Sequence, residues 1–229
     1  MAFIGIDTET ANSYIIDEET GKVELKDSLV YDVGWEVMTE KKGKTIIQRS
    51  YIVEEIFNDA EMMGSAYYAD KIPKYLKEIE EGKRKVKGIL SIYKKFRYDC
   101  KHYKVKAVFA HNALFDYRAL NNTLRFLTGS DLRFFYPYEL ELWDTLKMSR
   151  NAIGRTKEYT AFCDEYGFKT KHRVPQNRLT AEVLYRYISG DVDFEENHTG
   201  LEDVEIEKEI FFYCLKKDKE VKRKLFEDR

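Results

Sequence analysis

Three cysteines, Cys100, Cys163 and Cys214, are all that 229 residues contain, with no CxxC spacing and an odd count. That favours reduced thiols in a cytoplasmic protein over a disulfide framework. No apolar run reaches the roughly 18 residues a membrane span needs, and no signal peptide is visible, so neither insertion nor secretion is expected. Repeats and low-complexity linkers are missing too, and the length suits one domain, 1–229, with an ample core. The net charge of −2 lacks the excess of Lys and Arg expected of a simple nucleic-acid coating protein.

What the chain does have is acids in telling places. Phe3, Ile4, Gly5 and Ile6 read as a buried strand that ends in Asp7 and Glu9. Two residues apart on an extended backbone, these side chains point the same way, and Thr8 points to the opposite face. Two same-side acids at the end of a buried strand are costly unless a cation offsets their desolvation. Taken alone, DxE is common and equally fits a strand running out into solvent.

A second strand, Val105 to Ala110, leads into His111 and Asn112, and Asn112 to Leu127 reads as a helix. Asn112 and Asp116 stand four apart near its N-terminal end, where the helix dipole favours negative charge. Asp116 as a solvated first-turn acid capped by Asn112 is the plainer alternative, and His111 reads as a structural histidine at the strand end. Farther on, Thr199-Gly200-Leu201-Glu202 matches a capping box with Thr199 as N-cap. Asp203 falls in the first turn of that helix, and His198 lies on the loop before it, free to reach the same centre as a proton acceptor.

In combination these segments resemble the DEDDh group of 3′–5′ exonucleases in the ribonuclease H-like superfamily. The matching order is DTE at Asp7 and Glu9, HNALFD at Asp116, and H-x4-D at His198 and Asp203. WDTL around Asp144 and YTAFCDEYGF resemble steps between the second and third motifs. His172 stands at a similar distance from YGF, but Asn177 rather than an acid follows five residues later, which rules it out. The stretch Lys169–Asn197 resembles the insertion of bacteriophage-encoded members, and the whole is also similar to polymerase III epsilon-like proofreading exonucleases.

The resemblance implies an α/β, ribonuclease H-like fold with a central mixed five-stranded sheet flanked by helices, and insertions near 54–104 and 169–197. It implies two Mg²⁺ or Mn²⁺ ions held by Asp7, Glu9, Asp116 and Asp203, with Asp7 bridging and His198 as general base. An all-oxygen ligand set suits such hard cations and argues against zinc. Thr8, Thr10 and Asn112, beside the acids, are expected to contact substrate. The expected reaction releases nucleoside 5′-monophosphates from the 3′ end of single-stranded DNA, in phage replication or proofreading, with a DNA polymerase as candidate partner. An oligoribonuclease-like activity on RNA is the nearest alternative, a catalytically idle nucleic-acid- or polymerase-binding module the alternative of another class. An endonuclease of the ribonuclease H or integrase type lacks the H-x4-D pairing.

Elsewhere, Leu29 to Val37 and Thr45 to Val53 read as strands joined by a turn at Lys41 to Lys44, forming an antiparallel meander with the first strand. Lys74 to Glu81 and Val86 to Tyr98 read as helices, Glu141 to Trp143 as a further strand, and Leu179 to Ile188 as a helix within the insertion. Charge is uneven: residues 71–106 carry 13 Lys/Arg against 4 Asp/Glu, and residues 191–209 carry 9 acids against one Lys. The basic stretch could guide a phosphate backbone or simply be the solvated face of two helices.

Overall fold

The computed structural model describes residues 1–16, 23–196, 198–218 and 222–226. Asn197, the last residue of the expected 169–197 insertion, lies outside them. Two long strands begin the chain, β1 (Ala2–Ile16) and β2 (Val23–Thr39), followed by β3 (Thr45–Val53). Two short helices, α1 (Glu54–Phe57) and α2 (Ala60–Met63), and a 3₁₀ turn at Ala69–Lys71 lead to α3 (Ile72–Glu80). Next come β4 (Lys85–Lys87), α4 (Ile89–His102), β5 (Val105–Ala110) and α5 (Leu114–Thr128). The chain ends with β6 (Glu141–Asp144), α6 (Thr145–Ala152), α7 (Lys157–Glu165), α8 (Ala181–Ser189) and α9 (Gly200–Lys217).

The strands form one mixed sheet in the order β4-β3-β2-β1-β5-β6. β1, β2 and β3 make the expected antiparallel meander, and β5 and β6 extend it in parallel from β1. The sheet has six strands rather than five, because Val86, expected to open a helix, pairs with Ile52 in β4, parallel to β3. The helix after it starts at Ile89. Among the described residues, the β6 edge is covered by the C-terminal segment: Asp144 N–H donates to Arg223 O at 2.7 Å and Leu225 N–H to Leu142 O at 2.7 Å. Covering an edge in this way blocks strand addition by another chain.

Alternation along the strands builds two cores. Ile4, Ile6, Trp35, Phe96, Leu120 and Phe135 pack on one face, with α4 and α5. Phe3, Phe109, Trp143, Met148, Tyr159 and Phe211 pack on the other, with α6 to α9. Phe109 and Phe211 stack at 4.0 Å between centroids, which ties α9 to β5. Gly34 and Gly200 allow α9 to lie directly on the β1–β2 pair. A Cβ on Gly34 would stand 2.2 Å from the Leu201 nitrogen, and one on Gly200 would stand 2.7 Å from the Gly34 nitrogen.

Buried acids away from this crossing are matched by cations. Asp99 pairs with Arg49 and Lys95, and Glu36 with Lys208. Within the basic stretch, Lys74, Arg84, Lys95 and Lys106 are spent on Glu202, Asp32, Asp99 and Glu40. The three cysteines are buried and unpaired. No helix among the described residues is long and apolar enough to cross a membrane.

Candidate active site

The acids collect midway along β1, just past the point where its pairing with β5 stops at Gly5 and Phe109; β1 does not end at Asp7 and Glu9, as the sequence suggested, but runs on to Ile16. Asp7 lies opposite Gly34 and Glu9 opposite Asp32, with a register shift directly after Glu9. Glu9, Asp116 and Asp203 are all buried. Carboxylate oxygens of Asp7, Glu9 and Asp203 lie within 4.8 Å of one another, and ligand atoms of Glu196, His198 and Asp203 meet the same limit. Asp116 enters from α5, on the other face, where Thr8 Oγ1 donates to its Oδ1 at 2.8 Å. Thr8 is thus engaged with an acid, whereas Thr10 is half-buried and Asn112 exposed at the rim.

The acids repel one another and have lost water, so their carboxyl groups hold protons well above the usual range. Burial pushes Glu9 up to about 9, Asp203 to about 8 and Asp116 to about 7, and neighbouring acids add to the rise in each. Asp7 is raised by burial and then by Glu207, Asp116, Asp203 and Glu9. A group of acids this close and this poorly solvated is complete only with positive charge between them. Among the described residues no lysine or arginine supplies it, and Asp203 Oδ1 is buried without a hydrogen-bond partner. Oxygen donors at these separations fit divalent Mg²⁺ or Mn²⁺.

Two features differ from the sequence-based expectation. Thr199 is the N-cap of α9, but its hydroxyl donates to the Glu202 side chain at 2.6 Å instead of accepting a backbone N–H, so the two side chains bond each other and the expected capping box does not form. Gly200 N–H is satisfied from the sheet instead, by Asp32 Oδ2 at 3.1 Å, and Arg84 donates to the same oxygen at 2.8 Å. Asn112 does not cap or join α5. It sits at φ +64 before the helix, and its N–H donates to Asp144 Oδ1 at 3.1 Å. Asparagine tolerates this left-handed conformation better than most residues.

His198 reaches the cluster from the loop before α9, also left-handed at φ +52. Its ring stacks on Tyr68 with centroids 4.3 Å apart and planes 10° off parallel, and Nδ1 lies 3.8 Å from Glu196 Oε2. Burial lowers its pKa, so the ring is neutral at pH 7 and able to accept a proton. His111 is structural: Nδ1 meets Thr145 Oγ1 at 2.9 Å and Nε2 meets Leu179 O at 2.7 Å, joining α6 to the segment before α8.

Sequence reading missed Glu207, Asp32 and Glu196. Glu207 is buried on α9 one turn after Asp203, and Glu196 is pushed up to about 7 by burial and by Glu182. Glu196 and Glu207 stand among other acids in the chain, which hides them, whereas Asp32 is a lone acid in the apolar run of β2 and pairs with Arg84.

No family model matches the chain, and no curated protein matches its sequence. Solved structures do match its shape. The 3′-exonuclease that recognises the 3′ end of the histone mRNA stem-loop superposes with a TM-score of 0.60 at 12% identity, over 97% of this chain and 66% of that one. The nuclease domain of 3′hExo, a DEDDh family member bound to rAMP, gives a TM-score of 0.60 at 11% identity, over 100% of this chain and 97% of that one. Exonuclease X in complex with 5′-overhanging duplex DNA gives 0.44 at 14% identity, over 95% and 93%. The chain thus spans just under two thirds of the first structure and nearly all of the second. Its mixed sheet and flanking helices share the α/β fold of the first two of these structures.

Proposed function

We propose that the chain is a divalent-cation-dependent 3′–5′ exonuclease that removes nucleoside 5′-monophosphates from single-stranded ends. The observation that carries this reading is the approach of the Asp7, Glu9 and Asp203 oxygens within 4.8 Å of one another, beside buried Asp116 and the neutral His198 ring. Asp7, Glu9 and Asp203 would hold the cations, with Asp116 completing the set and Thr8 fixing its carboxylate. Two Mg²⁺ or Mn²⁺ ions bound there supply charge stabilisation and a more acidic water.

His198 would take a proton from the attacking water as its oxygen bonds to phosphorus and the bond from phosphorus to the 3′ oxygen breaks, the 3′ oxygen gaining a proton from solvent. The strand keeps a new 3′-hydroxyl and the released nucleotide keeps the phosphate. We assign substrate contacts to Thr10, half-buried next to Glu9, and to Asn112, exposed just before α5.

We place single-stranded DNA first, at replication or proofreading ends beside a polymerase. RNA is the second reading, favoured by the shared fold with the histone mRNA 3′-exonuclease. Matched 5′-labelled DNA and RNA strands, incubated with Mg²⁺ or Mn²⁺, test both: a ladder shortening from the 3′ end is expected, and the faster strand identifies the sugar. Cutting of a circular single strand would point to an endonuclease instead.

A further inference from the structure

Glu207 lies one helical turn beyond Asp203, so both carboxylates leave the same face of α9. It is 2% exposed, and a carboxylate so far from water needs partners. One oxygen, Oε1, accepts the backbone N–H of His111 at 2.8 Å. The other, Oε2, is buried with no hydrogen-bond partner among the described residues.

Asp32, Glu36 and Asp99 are each fully buried and each paired with a lysine or arginine. Glu207 has no such partner among the described residues, a condition it shares with Asp116 and Asp203. Its surroundings are those acids themselves, since Asp116 and Asp203 act on it, and of the charges around Asp7 it is the strongest. Glu207 is therefore placed like the acids of the cation site and unlike the structural ones. His111 is itself clamped by Thr145 and Leu179, so the N–H that grips Glu207 is held by α6 and the segment before α8.

We propose that Glu207 is a fifth carboxylate of the cation site, pinned through one oxygen by the His111 N–H and presenting the other to a divalent ion or its bound water beside Asp7. The proposal rests on the cation-dependent nuclease reading above. It makes Glu207 a positioning residue for metal, with no contact to the scissile strand required.

Mn²⁺ titration of the full chain, wild type against Glu207→Gln, tests it. Glutamine keeps the size and an oxygen able to accept the His111 N–H, and removes only the charge. E207Q is expected to bind Mn²⁺ about 10–100-fold more weakly. In metal-free buffer it should melt no lower than wild type, because an unpaired buried charge is gone. Affinity within about twofold of wild type would overturn the proposal and leave Glu207 as a hydrogen-bond acceptor alone.

Glu207→Asp is the second variant, keeping the charge and shortening the reach to His111. It should hold Mn²⁺ more tightly than E207Q, and the reverse order also overturns the proposal. Wild type that binds no Mn²⁺ and cuts no strand would take the nuclease reading down as well. Wild type that binds and cuts, beside an E207Q that binds equally well, would remove only the role of Glu207.

Discussion

His198 holds a backbone conformation that a non-glycine residue adopts only when its surroundings hold it there. Stacking on Tyr68 and the start of α9 provide that hold. The imidazole touches the cluster at its edge, so removing it leaves the acids in place. His198→Ala should therefore bind cation and strand nearly as well as wild type while turnover falls about 10²–10⁴-fold. Single-turnover kinetics beside a Mn²⁺ titration would check this, and full activity at neutral pH would contradict the assignment. The sequence gives no sign of the role of Tyr68, because a ring stacked on a residue 130 positions later leaves no periodic trace.

Elements with strong internal pattern were legible. β3 and β5 have the expected bounds, since alternating or continuous apolar residues mark them and turns close them. β4 was not legible: Lys85-Val86-Lys87 is three residues long, two of them exposed lysines, and only pairing with β3 makes it a strand. Asp116 and Asp203 could be picked out because each sits in the first turn of a helix, and Asp7 and Glu9 because they directly follow an apolar run, although β1 continues beyond them to Ile16. Glu207 could not, because residues 202–209 hold five acids and only packing on the sheet separates the buried from the solvated. The seating of α9 by Gly34 is a second feature the sequence hides. Gly34→Ala would force a Cβ against the Gly200–Leu201 backbone, which has no side chain to move aside. A loss of about 1–3 kcal/mol by denaturant melts is expected, together with reduced cleavage as Asp203 shifts. An unchanged midpoint and rate would show that the helix tolerates displacement.

For the whole molecule, the clustering of buried acids makes stability depend on pH. Folding raises Glu9 from 4.5 to about 9 and Asp203 from 3.8 to about 8, so the folded state binds more protons than the unfolded one across that interval. Metal-free stability is then greatest below the unfolded values and falls as pH rises through the folded ones. His111 and His198, with their lowered pKa values, act oppositely, losing their contribution as pH falls below 6.5, but they are two groups against several. Thermal melts in EDTA should show a lower midpoint near about pH 8.5 than near about pH 6. Mn²⁺ at roughly a hundred times its dissociation constant should add about 2.7 kcal/mol and raise the midpoint by about 5–10 °C. A midpoint indifferent to both pH and Mn²⁺ would mean that the carboxylates do not share a cation.

The central claim is that three distant segments assemble one cation-dependent site for cutting strand ends. It is tested most directly by measuring the release of nucleoside 5′-monophosphates from single strands by wild type and by a folded Asp7→Asn protein, with Mn²⁺ and with EDTA. The account predicts release by wild type with Mn²⁺ only, and none above background from Asp7→Asn. No release by folded, Mn²⁺-loaded wild type, or equal release by Asp7→Asn, would contradict it.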